Sequence, residues 1–199
     1  MKKPTKPILI FGGRFDPFHN GHFIMLERAV QQLNLKKVIL IPSHLSVFKP
    51  APFFSKEKRL DMLMTLLPFL PQPKTDMVYE ICDIELQGQT PQFTQDTLLY
   101  LQQRYNASSL WLLIGSDSFF SLHTWKNSQE WVPHYQWVVA QREDVKDHEQ
   151  YAKEKFKTLQ FHVLKGNPIE ISSTQIRDLI QKKSDVSAFV PEPILQMLT

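Results

Sequence analysis

Five short apolar runs in this chain lack alternating polar residues: Pro7 to Phe11, Lys37 to Ile41, Leu110 to Ile114, Tyr135 to Ala140 and, more weakly, Phe161 to Leu164. A strand with one wet face alternates, so such runs predict strands covered on both faces, as in a parallel sheet. Helical rhythm lies between them. Over residues 20–35, Phe23, Leu26, Val30 and Leu33 recur every three or four positions, with Asn20 as the expected N-cap. FTQDTLLYLQQRY, residues 93–105, repeats the rhythm with Thr94 as its cap. SSTQIRDLIQKK, residues 172–183, opens on Ser172 and Ser173 and closes on lysines, matching the helix dipole at both ends. The order βαβ, αβ, αβ predicts an α/β fold: a doubly wound parallel sheet with right-handed crossovers and helices on both faces.

Residues 42–58, PSHLSVFKPAPFFSKEK, read as a long proline-bearing connection, and residues 68–75, PFLPQPKT, as a second break. Neither has the character of a linker between two cores, so a single domain over 1–199 is expected. The composition, 42% hydrophobic with 14 Phe and 4 Trp, supplies a core, and 22% charged residues is not a disordered balance. A net charge of +3 is too small to point to nucleic acid, yet leaves room for a local basic pocket that binds phosphate. Cys82 stands alone, which excludes a disulfide framework and a thiolate metal site and fits a reducing cytoplasm. The apolar run behind the N-terminal lysines is far shorter than a signal sequence requires, and no stretch approaches the roughly 20 apolar residues of a membrane span. A soluble, cytoplasmic protein without nucleic-acid or membrane partners is expected; assembly into a homo-oligomer stays open.

Three of the six glycines fall in one stretch, FGGRFDPFHNGH, residues 11–22, directly after the first apolar run. In a doubly wound sheet, ligands bind beyond the carboxyl ends of the strands, where this stretch is expected. Gly12 and Gly13 let backbone approach a ligand closely. The following helix N-terminus offers N–H groups and partial positive charge to an anion. His19 and His22, three residues apart, can share one face of its first turn. The spacing is neither that of a Walker A loop nor that of the three-glycine dinucleotide fingerprint. For the two histidines alone, capping a turn without any ligand is the competing explanation.

GGRFDPFHNGH resembles the first motif of the nucleotidyltransferase superfamily that carries a (T/H)xGH signature, and ISSTQIR, residues 171–177, resembles its second. LLIGSDSFFSLHTW (112–125), TPQFTQDTL (90–98) and the Phe48-Lys49-Pro50 stretch followed by Arg59 and Met62 are similar to segments of bacterial nicotinate-nucleotide adenylyltransferases. The resemblance spans about residues 7–193. It implies a Rossmann-like nucleotidyltransferase fold and transfer of the adenylyl group of ATP to nicotinate mononucleotide, giving nicotinate adenine dinucleotide and pyrophosphate, a step of NAD biosynthesis. The attacking phosphate is already an anion, so catalysis rests on in-line positioning and charge stabilisation rather than on a protein nucleophile.

The resemblance implies His19, His22 and Arg177 as catalytic residues. It places Gly12, Gly13, Arg14, Phe15, Lys49, Ile114, Gly115, Asp117, Ser172, Ser173 and Thr174 with them around ATP, Arg14 and Phe15 through their backbone and Asp117 through the ribose. Asp16, Lys49, Thr94, Trp125 and Arg142 are implied for the mononucleotide, Trp125 stacking on the pyridine and Thr94 holding its carboxylate. Taken singly, these residues also fit simpler roles: Lys49 a solvated loop lysine, Ser172 to Thr174 a capping run, Asp117 an N-cap, Trp125 a core residue, Asp16 part of an Asp-Pro turn. Arg59 fits loop support or a phosphate contact. No metal-ligating cluster is visible, and Mg²⁺ is expected on the ATP phosphates. Departures from the family pattern gather on the pyridine side. Phe48 stands where the family has histidine, with His44 nearby. Gln92 and Phe93 replace Ser-Tyr, and Glu143 and Asp144 follow Arg142. Sister enzymes acting on nicotinamide mononucleotide or phosphopantetheine, and an inactive nucleotide-binding regulator, are the alternatives.

Overall fold

The computed structural model describes residues 6–43, 51–72, 76–88, 93–105, 109–142 and 147–198. Six strands, β1 (Ile8–Gly13), β2 (Lys37–Pro42), β3 (Val78–Ile81), β4 (Leu110–Gly115), β5 (Gln136–Ala140) and β6 (Gln160–Leu164), form one sheet in the order β3-β2-β1-β4-β5-β6. Every pairing is parallel. The helices are α1 (Asn20–Gln32), α2 (Lys56–Leu66), α3 (Thr94–Tyr105), α4 (Ser116–Phe119), α5 (Ser128–Trp131), α6 (His148–Lys155) and α7 (Ser173–Gln181), with short 3₁₀ turns between them.

Alternate strand residues feed two cores, which is why the apolar runs are continuous. Leu9, Phe11, Val38, Leu40, Leu113 and Val138 pack with Leu26 of α1, Met62 of α2 and Ile176 of α7 on one face. Ile8, Ile10, Ile39, Leu112, Trp137 and Val139 pack with Leu98 of α3, Phe119 of α4 and Tyr151 of α6 on the other. The expected doubly wound sheet is therefore the observed one.

Some elements differ from the sequence expectation. β3, with the sequence VYEI, lies at a sheet edge and Val78 is half exposed, so no apolar run announces it. α2 starts inside the stretch read as a loop, capped by Ser55, whose side chain accepts from the Lys58 amide. α6 is short and polar, and Asp147 caps it. Asn20 is not the cap of α1: His19 is, and the Asn20 side chain donates to the Ala188 carbonyl at 3.0 Å. Thr94 is the first residue of α3 rather than its cap, because the amides of Asp96 and Thr97 bond the Phe93 carbonyl.

Leu26 has no exposed surface and anchors α1 to the sheet. Leu26→Ala is expected to cost about 3 kcal/mol in a urea titration.

Candidate functional site

β1 pairs with β4 only over Ile8–Ile10, while its last three residues stay bonded to β2. β4 in turn continues along β5 through Leu113–Gly115. The two central strands therefore part at their carboxyl ends, at the point where the strand order reverses, and this is where open α/β sheets bind ligands. A cavity of about 640 Å³ lies there. Its walls come from Gly12, Gly13 and Arg14 after β1, Ile114, Gly115 and Asp117 after β4, Arg142 after β5, and Ser172 to Thr174 with Arg177 from α7.

His19 and His22 line this cavity as a reciprocal cap. The His22 amide donates to Nδ1 of His19 at 3.4 Å, and the His19 amide donates to Nδ1 of His22 at 3.2 Å. The rings stack with centroids 3.7 Å apart. Capping and lining the pocket are thus one arrangement, not alternatives. Because each Nδ1 accepts, a neutral ring carries its proton on Nε2 and keeps that N–H as a donor for a ligand. Gly21 makes the stack possible, since a Cβ there would meet the His19 ring at 2.9 Å. Burial pushes His19 down to about 3 and holds His22 well below its ordinary value, with Arg142 adding to both and His19 adding to His22. Both imidazoles are neutral at pH 7 in the free protein.

The backbone around them is constrained. Phe15 has φ 47, a rare conformation for a bulky residue, and is buried against Phe11 and the His22 ring at 5.4 and 5.2 Å. Gly13 leaves room for the Phe15 ring, which a Cβ would approach at 3.1 Å, whereas a Cβ on Gly12 would project into open space. Arg59, with no exposed surface, donates from Nη1 to the carbonyls of Arg14 and Ser43 at 2.6 and 2.7 Å, so it supports the loops.

Opposite the histidines, Ser172 caps α7 by accepting from the Gln175 amide, and Ser173 donates to the Pro17 carbonyl at 3.2 Å. Arg177 donates to Oγ1 of Thr174 at 3.0 Å and to the Asp16 carbonyl at 2.9 Å. The N-termini of α1 and α7 therefore meet one cavity.

The residues implied for a mononucleotide divide. Arg142 lines the cavity, donating to the Ile171 carbonyl at 2.8 Å and pairing with Asp117 at 3.3 Å. The buried Asp16 carboxylate accepts from the amides of Phe53 and Phe54, both at 2.8 Å, and this ties two loops together. Thr94 and Trp125 do not line the cavity. Their neighbours meet instead: Lys126 Nζ lies 4.1 Å from the centre of the Phe93 ring. Trp125 is half buried, 6.0 Å from both the Trp131 and Trp137 rings. Lys126 was not legible as part of this group because only folding brings it to Phe93. His44, Phe48, Lys49, Gln92, Glu143 and Asp144 lie outside the described residues. Among the described residues no three His, Cys, Asp or Glu gather where a metal ion could be held, and no helix is long and apolar enough to cross a membrane.

The depressed imidazoles fix a pH response. The unfolded chain protonates His19 near 6.5 and the folded chain only near 3, so between these values the unfolded state binds more protons and stability falls as pH falls. His19→Asn, which keeps a capping side chain, is expected to flatten that slope in melting curves taken without nucleotide.

Residues 10–179 match the cytidylyltransferase-like family. The "probable nicotinate-nucleotide adenylyltransferase" of Nitratiruptor sp. is 33% identical over 95% of this chain and 97% of its own, and that of Aquifex aeolicus is 34% identical over 84% and 99%. A solved structure of Plasmodium falciparum nicotinic acid mononucleotide adenylyltransferase, complexed with NaAD, superposes with a TM-score of 0.80 at 16% identity, covering 98% of this chain and 95% of that one. A likeness of this kind speaks to the fold. Sequence and fold agree: the chain belongs to the cytidylyltransferase-like family of nucleotidyltransferases, together with relatives named as nicotinate-nucleotide adenylyltransferases.

Proposed function

We propose that this chain transfers the adenylyl group of ATP to nicotinate mononucleotide, releasing pyrophosphate and forming nicotinate adenine dinucleotide in NAD biosynthesis. What carries this is the convergence of the stacked His19–His22 pair and the Ser173, Thr174 and Arg177 group on one cavity at the parting of β1 and β4. Two helix N-termini, two imidazole Nε2–H donors and Arg177 suit a triphosphate whose negative charge shifts toward the leaving pyrophosphate. The entering charge opposes the desolvation that keeps the imidazoles neutral, so the pair takes up proton density as phosphate arrives.

In this reading Gly12 leaves open space for backbone to meet the nucleotide, and Gly115 and Asp117 face the adenosine. Arg142 stands ready to exchange its contact with Asp117 for a phosphate. Asp16 acts by holding the loops rather than by touching substrate. Thr94 and Trp125 form a separate pyridine subsite, and the ammonium of Lys126 beside it favours a pyridine that bears a carboxylate. Mg²⁺ would arrive on the ATP phosphates, which fits a cavity richer in cations than in carboxylates. The single, buried Cys82 supports a reducing, cytoplasmic setting.

Pyrophosphate release with ATP, Mg²⁺ and either pyridine mononucleotide tests the reading. Release with a clear preference for the acid is expected, and no release with either would refute it. His22→Ala removes both a cap and a donor, so it is expected to cost about 1 kcal/mol of stability and at least about 100-fold in turnover. His22→Gln, which can restore the cap, should regain the stability and not the turnover. Full activity in a folded His22 variant would remove that residue from the mechanism.

A further inference from the structure

Arg14 was implied as a source of backbone contacts, but its side chain is the unusual feature. It follows β1 directly and lines the cavity, while Nε and Nη2 are buried without a hydrogen-bond partner. The guanidiniums of Arg177 and Arg59 lie close enough to oppose its charge or be opposed by it. Arg59 also has Nε and Nη2 buried and unpartnered, its Nη1 being committed to the Arg14 and Ser43 carbonyls.

Asp16 is the carboxylate that acts on Arg14, and it acts on Arg59 together with Glu57. Both Asp16 oxygens already accept from the amides of Phe53 and Phe54, and Oδ2 lies 3.8 Å from Arg177. Three guanidiniums therefore draw on the Asp16 carboxylate, whose hydrogen-bonding positions are largely taken, and only Arg59 has a second carboxylate, Glu57, acting on it. Arginine stays protonated in proteins, and burying its N–H groups unpaired is costly. Native structures seldom leave such groups without an explanation. An oxyanion with several acceptor lone pairs, as on phosphate, matches the unused edge of the guanidinium.

We infer that the Arg14 side chain is a phosphate ligand, its partnerless Nε and Nη2 receiving oxygens of a nucleotide phosphate that enters the cavity. Arg59 is its positioning residue, holding the Arg14 carbonyl and keeping a second positive charge behind it. This rests on the nucleotidyl-transfer reading above. The phosphate can come from ATP or from the mononucleotide, and the two are told apart by testing each alone.

The experiment measures melting of wild type and Arg14→Gln without nucleotide, with Mg²⁺-ATP alone and with nicotinate mononucleotide alone, followed by KM for each substrate from pyrophosphate release. The nucleotide-induced stabilisation is expected to shrink for one of the two, and KM for that same nucleotide to rise at least about tenfold. The affected nucleotide identifies the phosphate that Arg14 holds. Without nucleotide the variant should melt no lower than wild type, because an uncompensated charge has been removed. Unchanged KM values together with unchanged nucleotide-induced shifts overturn the inference, whatever the melting temperature. Should Arg14→Gln fail to fold, Arg14→Lys, which keeps the charge and loses the fork, is held to the same criteria. Absence of pyrophosphate release by wild type would defeat the nucleotidyl-transfer reading, while the two melting shifts would still decide the role of Arg14.

Discussion

Everything in this site depends on how β1 is hydrogen-bonded. It pairs with β4 at its start, with β2 along its whole length, and with β2 alone at its end. A sheet wound outward in both directions from β1 must part there, because β1 leads into the half containing β2 and β3 and β4 into the half containing β5 and β6. The gap is bounded by strand ends, so backbone amides and helix N-termini face it alongside apolar side chains such as Leu113 and Ile169. A gap suited to an anion follows from the topology before any particular side chain is considered.

The side chains then give that gap its donors and its shape. The reciprocal His19–His22 cap satisfies two N-terminal amides of α1 and, in the same contacts, determines which ring nitrogens are left to donate. Gly21 and Gly13 make room for the His19 and Phe15 rings, so the glycines of the opening motif serve packing as much as backbone approach. Behind the site, Arg59 and Asp16 join the β1–α1 loop to the segments at Ser43 and at Phe53–Phe54. These ties hold the cavity-lining loop in a conformation that includes the left-handed Phe15.

The sheet was legible because a doubly covered strand must be apolar on both sides. That same reason hid β3, whose edge position lets VYEI carry a glutamate and an exposed valine. Helix α2 was hidden by sequence context: KEKRLDMLMTL follows a proline-bearing stretch, and its buried residues include Arg59, a charge no periodicity argument counts as core. The gathering of Gly12, Gly13, His19 and His22 on one cavity was legible from motif order, since the strand, glycines and histidines are consecutive and fold as one local unit. The tie that Asp16 makes was not, because its partners Phe53 and Phe54 are 37 and 38 residues away. The contact of Lys126 with Phe93 and the burial of Arg14 Nε and Nη2 without hydrogen-bond partners also arise only when distant segments meet.

The most direct test of this account is the protonation of the histidine pair, read by long-range proton–nitrogen NMR on histidine-labelled protein at pH 7. The reciprocal cap predicts that His19 and His22 are both neutral Nε2–H tautomers in the free protein. Titration with ATP should then move their Nε2 resonances while both Nδ1 resonances keep the signature of an acceptor. Imidazolium signals or Nδ1–H tautomers in the free protein, or resonances that ATP leaves unmoved, would contradict the claim that this cap is also the phosphate-binding element.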